Sequence, residues 1–377
     1  MKKRILLTPG PTMVPPQVLL AGAQPLIHHR APDFTPVLGK VAEDLKYLFQ
    51  TKNPVIIIAS SGTGAMEGSV CSLLSPGDKA VAVVGGKFGE RWQELCNSFG
   101  AQTITINVPW EEAVSPEKIE EVLKNNPDTK AVFVTHCETS TGSLTDIKTI
   151  GEIVSKTDAL LVVDAISSLG AEELRADEWK LDVVVTGSQK AMMLPPGLSF
   201  ASISEKAKAR LSATKNSRYY LSFSKYLKSI EKTDTPYTPA VSMVLQLQTA
   251  LNMIREEGIE NIWARHRKLA DAIRVGIIAL GLKLFSKNPS NVVCAVNVPE
   301  GIDGNKIPKI FRDEMGITIA GGQEHLKGKI FRIATLGYAD MFDATTCICA
   351  LELTLKMLGY QFTLGSGISA ALKVLAE

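Results

Sequence analysis

Residues 55–64 read Val55-Ile56-Ile57-Ile58-Ala59-Ser60-Ser61-Gly62-Thr63-Gly64, an aliphatic run that gives way to small and hydroxylated residues. Four β-branched residues in succession, with no polar alternation, describe a strand covered on both faces. Helical spacing over 63–74 begins directly behind the first glycine, and Ser75-Pro76-Gly77-Asp78 stops it. A buried strand followed at once by a helix is the repeating unit of an α/β protein.

Outward from that stretch the unit recurs. Residues 80–84, 103–108, 130–135, 159–163 and 182–186 read as further strands. Helices fit 88–99, a segment opened by Ser115 and Pro116 and running to Lys124, and 146–155. The alternation holds to about residue 203 and predicts a largely parallel sheet. Residues 216–239 are polar and aromatic and read as an excursion from it. Residues 241–257 and 259–280 read as helices. From 282 the texture is α+β, with strands near 292–298 and 330–335 and helices near 305–315 and 343–358. The expected division is a large domain over 1–257, including an N-terminal arm, and a smaller one over 258–377.

Composition narrows the function classes. The chain has 377 residues, 45 % hydrophobic and 21 % charged, which excludes disorder as the dominant state. Lys plus Arg number 41 against 39 Asp plus Glu, so a net charge of +2 offers no field for gathering nucleic acid. The apolar stretch in MKKRILLTPGPT is too short for a secretory signal, and no run approaches the roughly 18 apolar residues of a membrane helix. Six scattered cysteines without a CxxC pair read as buried free thiols, and the expected location is the cytoplasm.

Chemistry collects beyond the carboxyl ends of parallel strands. Ser61-Gly62-Thr63-Gly64 opens a helix whose N–H groups can receive an anion, a phosphate being the natural guest. The stretch lacks the lysine of a P-loop, and Glu67 stands where a dinucleotide fingerprint has its third glycine. After the strand at 130–135 comes the polar cluster His136-Cys137-Glu138-Thr139-Ser140-Thr141-Gly142. Asp164 closes four aliphatic residues, where it is either a capping or paired structural carboxylate or the partner of a cationic ligand. Lys190 follows Gly187-Ser188-Gln189 and precedes the apolar, proline-stiffened 191–197; it is either a snorkelling lysine or an amine made nucleophilic by desolvation. Anion cradle, carboxylate and lysine on adjacent strand ends are what pyridoxal phosphate requires.

The chain resembles the class V pyridoxal-phosphate aminotransferases, most of all the alanine–glyoxylate and serine–pyruvate aminotransferases. The resemblance rests on Pro9-Gly10-Pro11-Thr12, residues 61–67, residues 136–142, Val163-Asp164, Gly187-Ser188-Gln189-Lys190-Ala191, Glu257-Gly258-Ile259-Glu260-Asn261 and Phe331-Arg332-Ile333, which run in family order along nearly the whole chain. It implies a three-layer αβα large domain of the fold type I kind with a smaller α+β C-terminal domain. It implies that Lys190 forms an aldimine with the cofactor and later acts as general base, and that Asp164 pairs with the pyridinium. Ser61, Gly62, Thr63 and Gln189 would surround the phosphate, Thr139 the ring's phenolic side, and Phe88 would stack where the family usually carries tryptophan. Arg332 would fork the substrate carboxylate. Thr235 and Thr238 would reach the phosphate of a neighbouring subunit, which implies a homodimer with shared active sites. No metal is expected. His28-His29-Arg30 reads as a loop near the site mouth.

The expected reaction is transfer of an amino group from alanine or serine to glyoxylate or pyruvate. An aspartate donor would want a second cation, for which Arg30 and Lys87 are the candidates. A lyase of the same fold is the alternative. A desulfurase fits less well, because residues 321–329 contain no Cys and Phe88 stands where those enzymes place His.

Overall fold

The computed structural model describes residues 3–377. Seven strands form the central sheet, in the order Val55–Ile58, Ser199–Ile203, Val183–Gly187, Leu160–Asp164, Ala131–Thr135, Lys79–Val84 and Gln102–Asn107. Six share one direction, and Ser199–Ile203 runs against both its neighbours. Each aliphatic run feeds two cores. Val132, Val134, Leu161 and Val163 point into one layer, and Ala131, Phe133, Leu160 and Val162 into the other. That period-two division is why the strands show no polar face. At roughly 1.5–3 kcal/mol for each fully buried aliphatic side chain, these runs are the main apolar contribution of the sheet.

A second core lies around a three-stranded antiparallel sheet, with Ile330–Ile333 between Cys294–Asn297 and Ala320–Gly321. The chain start joins it. Ile5–Leu6 pairs in parallel with Ile317–Thr318, the Leu7 N–H donates to the Thr318 carbonyl (2.9 Å), and the Leu7 carbonyl accepts from Ala334 (2.9 Å). The helix Ile259–Ala279 spans both cores, giving Ile262 and Trp263 to the first and Ile273 and Ile277 to the second.

Three readings of the sequence need correction. The strand Ser199–Ile203 is absent from them because Ser199 and Ser202 look solvent-facing, yet all five residues are buried. The excursion at 216–239 contains a helix, Phe223–Ile230, too short to carry a full apolar stripe and anchored by buried Phe223 and Tyr226. All six cysteines are free, but Cys349 is exposed, since two positions along a helix turn it away from buried Cys347. Among the described residues no helix is long and apolar enough to cross a membrane.

Candidate active site

The carboxyl ends of the parallel strands bring together the loops that carry polar side chains. Asp164 ends its strand in register with Thr135, and the His136 N–H donates to the Asp164 carbonyl (2.9 Å). The loops after Val55–Ile58 and Val183–Gly187 touch, because a Cβ on Gly187 would stand 3.5 Å from the Cα of Gly62. Lys190 lies beyond Gly187, and its amine donates to the Pro9 carbonyl. Gly10 (φ +113°) permits this approach, since a Cβ there would fall 2.5 Å from Lys190 Cδ and Nζ. Thr12 completes the tie by donating from its hydroxyl to the Lys190 carbonyl (3.0 Å) and from its N–H to the Gln189 carbonyl (3.2 Å).

Burial sets the electrostatics. Lys190 is 9 % exposed, and desolvation lowers its pKa to about 8 against the opposing pull of Asp164. The Asp164 carboxylate has one hydrogen bond, from the Ile166 N–H (2.8 Å), and burial pushes its pKa up to about 7. Glu138 is equally buried but well satisfied. It accepts from the N–H groups of Phe88 (3.0 Å), Gly89 (3.0 Å) and Ser140 (3.2 Å) and from the Ser140 hydroxyl. With Ser140 Oγ accepting from the Lys87 N–H (3.1 Å), the first turn of the helix Lys87–Ser98 is closed. Those bonds hold Glu138 toward its charged form against burial, which raises its pKa.

The helix Gly62–Leu73 begins differently. Its cap residue Ser61 makes no side-chain capping bond, and only the Gly64 N–H returns to Ser61 (2.8 Å). A Cβ on Gly62 would meet Ile166 Cδ1 at 2.6 Å, so this backbone is pressed against the segment after Asp164. Gln189 Oε1 is buried with no partner. Turning that amide would present its NH2 toward the same space. An uncapped helix start, an unpartnered buried amide, a desolvated amine and a carboxylate with one bond are four separate features that fit pyridoxal phosphate.

Arg332 is 5 % exposed on the central strand of the second sheet. It donates from Nε to the Gly321 carbonyl (2.9 Å) and from Nη1 to the Thr139 carbonyl (2.6 Å), and no carboxylate pairs with it. Burial lowers its pKa to about 10. Phe88 is half-buried, with the Arg91 guanidinium 5.0 Å from its ring centroid. Behind the site, His266 accepts from the Gly337 N–H (3.0 Å), and a Cβ on Gly337 would lie 3.1 Å from the Lys190 carbonyl oxygen. Thus the helix Ile259–Ala279 and the segment after Ile330–Ile333 brace the lysine loop.

Contacts join most of the expected residues: Gly62 lies against Gly187, the charges of Asp164 and Arg332 act on Lys190, and Arg332 bonds the Thr139 carbonyl. Thr235 and Thr238 stand apart: the Thr235 hydroxyl donates to the Tyr237 carbonyl (2.8 Å), and Thr238 is exposed. His28 and His29 stack on each other at 4.6 Å, and Arg30 pairs with Asp234 (2.6 Å). Sequence reasoning assigned nothing to Glu138, Gly10 or Arg91, although Glu138 and Gly10 lie in the segments that carried the resemblance. Among the described residues no group of three or more His, Cys, Asp or Glu side chains could hold a metal ion.

Residues 5–335 match the family model described as aminotransferase class V, and the chain belongs to that family. It is a pyridoxal-phosphate-dependent transaminase of fold type I. It is 42 % identical to a protein named soluble hydrogenase, small subunit, from a Synechococcus strain, over 99 % of both chains. It is 38 % identical to a serine–glyoxylate aminotransferase from Hyphomicrobium methylovorum, over 97 % of this chain and 93 % of that one. The solved ureidoglycine–glyoxylate aminotransferase of Bacillus subtilis superposes with a TM-score of 0.96 at 31 % identity, covering 100 % of this chain and 99 % of that one.

Proposed function

We propose that this transaminase moves the amino group of a small neutral L-amino acid, alanine or serine, to a short 2-oxo acid, glyoxylate or pyruvate. The carrying observation is Arg332, a buried guanidinium in the cleft with no carboxylate partner. An unpaired buried cation is costly, and a substrate α-carboxylate meets its fork in a geometry an ammonium cannot match. The two candidates for a second cation are already neutralised. Lys87 pairs with Glu90 (3.1 Å) and Glu324 (3.2 Å), and Arg30 pairs with Asp234 (2.6 Å). A dicarboxylate donor that used either of these two cations would have to displace its partner, which favours a neutral side chain.

When bound, pyridoxal phosphate supplies a carbonyl that an amine can capture and an electron-poor ring that accepts the electron pair left at the substrate α-carbon. Ser61, Gly62, Thr63 and Gln189 would hold its phosphate, Asp164 its ring nitrogen, and Phe88 a ring face. Thr139, whose carbonyl accepts from Arg332, would couple the phenolic side of the ring to the substrate site. Lys190 would hold the cofactor carbonyl at rest. Released by the donor's amine, its Nζ takes the proton from the α-carbon, and a pKa of about 8 leaves an appreciable unprotonated fraction near neutral pH. Arg332 fixes the substrate so that this C–H faces Nζ.

The working unit in this reading is a homodimer. Thr235 and Thr238 do not bond to the Lys190 cluster of their own chain, as expected of residues that serve a partner's phosphate, and Tyr219 (72 % exposed) stands in the same region. Free thiols accord with a reducing cytoplasm.

Single-turnover mixing tests the function. Alanine or serine is expected to bleach the yellow holoenzyme and leave the amine form of the cofactor, which glyoxylate restores. If no donor among alanine, serine, aspartate and glutamate does this, transamination is wrong. Faster bleaching by aspartate would replace the neutral-donor reading, and ammonia release from serine would indicate a lyase. For Lys190, borohydride is expected to fix the cofactor to the wild type and not to Lys190→Ala; a covalent adduct on the variant would sink that assignment.

A further inference from the structure

Arg91 is, after Arg332, a second cation of the site without a carboxylate partner among the described residues. It sits one turn into the helix Lys87–Ser98, is half-buried, and makes no ion pair. Its Nη1 donates to Thr63 Oγ1 (3.2 Å), the hydroxyl in the first turn of the uncapped helix Gly62–Leu73. Its guanidinium lies 5.0 Å from the ring centroid of Phe88. Two contacts therefore fix one planar group: a hydroxyl at the anion cradle and an aromatic face.

The Thr63 contact has a directional consequence. A hydroxyl that accepts from a guanidinium keeps that lone pair occupied and must aim its own proton elsewhere. Among the described residues the Thr63 hydroxyl has no acceptor for that proton, and the open helix N-terminus is where an acceptor would arrive. Desolvation dominates at both Lys190 and Asp164; the Arg91 charge adds a smaller downward pull at Lys190 and partly opposes the rise at Asp164. Helix N–H groups offer partial charges only, whereas a bound phosphate monoester carries close to two negative charges.

We infer that Arg91 is a positioning residue for the cofactor phosphate: it orients the Thr63 hydroxyl toward the phosphate and supplies the full positive charge that the helix N-terminus lacks. The inference rests on placing the phosphate at residues 61–63. The discriminating quantity is the preference of cofactor-depleted protein for pyridoxal 5′-phosphate over pyridoxal, because only the former has the charge that Arg91 answers.

Equilibrium titration of the depleted protein, followed by absorbance, is expected to show this preference falling about tenfold to a hundredfold in Arg91→Gln, in line with loss of a charge-assisted contact. Pyridoxal affinity should stay within about twofold of wild type, well inside the scatter of a surface substitution. Arg91→Lys should restore a large part of the preference, and inorganic phosphate should compete against reloading in wild type far better than in Arg91→Gln. Equal weakening of both compounds would reduce Arg91 to a strut between two helices and overturn the inference. So would an unchanged preference. If Arg91→Gln does not fold, Arg91→Met and Thr63→Val carry the same ratio measurement. An unchanged preference in both Thr63→Val and Ser61→Ala would fault the phosphate placement itself, whereas an unchanged preference in Arg91→Gln alone would fault only the role of Arg91.

Discussion

Glu138 and Asp164 are two carboxylates buried at neighbouring strand ends, and their surroundings differ in kind. Glu138 accepts from three backbone N–H groups and a hydroxyl, and in doing so closes the helix that bears Phe88. Asp164 has a single N–H and a pKa raised to about 7. One desolvation cost is offset within the protein, while the other awaits a partner from outside. The same contrast separates the helix N-termini: the one at Lys87 is capped, and the one at Gly62 is open. Burial alone does not mark a functional carboxylate; burial with unfilled hydrogen-bonding capacity does.

The comparison breaks first at Asp164→Asn. Activity is expected to fall on the order of a thousandfold in kcat/KM with saturating cofactor, while the cofactor-free protein melts no lower than wild type, because the substitution removes an unsatisfied charge. A marked drop in melting temperature would make Asp164 a structural group like Glu138.

The second consequence concerns pH. The folded protein holds the Asp164 proton up to about 7, and the unfolded chain releases it near 3.8. Between those values the folded state binds more protons, so the stability of cofactor-free wild type relative to Asp164→Asn should decline as pH rises, by up to about 1.4 kcal/mol per pH unit. Urea unfolding at several pH values measures this, and a flat difference would show that the carboxylate is not desolvated.

Glu138→Gln should reverse the emphasis. Replacing an accepting oxygen by NH2 opposite backbone N–H groups is expected to cost about 2 kcal/mol of unfolding free energy, with the activity of the remaining folded enzyme reduced less than about tenfold. Loss of activity without loss of stability would move Glu138 into the reacting machinery. The smallest effect is expected at Gly86→Ala, where a Cβ would stand 2.4 Å from Glu138 Cγ and 2.5 Å from Ser140 Oγ. Since Glu138 is tethered by its bonds, the substitution should cost about 1–2 kcal/mol in the same assay.

What the sequence displays and what it hides follow the range of the interactions. Ile56-Ile57-Ile58 and Leu161-Val162-Val163 announce strands because burial on both faces leaves no polar alternation to obscure them. Asp164 and Lys190 stand out because each interrupts an apolar context within a few residues. Ser199–Ile203 escapes notice because its buried serines look polar and are satisfied from a distance, as when Ser199 Oγ meets Ser60 Oγ at 2.7 Å. Glu138 as a helix cap, Arg91 against Thr63 and Pro9 against Lys190 join residues far apart in the chain. No window along the sequence contains both members of such a pair.

The strand Ile5–Leu6 carries a final implication, about the order in which the protein is made. A ribosome makes these residues long before their partners Ile317–Thr318. Until then, Pro9, Gly10 and Thr12 have no anchor upstream, and the lysine loop they cover stays open on that side. The segment that encloses the amine therefore sets only after residue 318 has been made, so a nascent chain can lay down its central sheet first but cannot enclose its lysine before the second core exists.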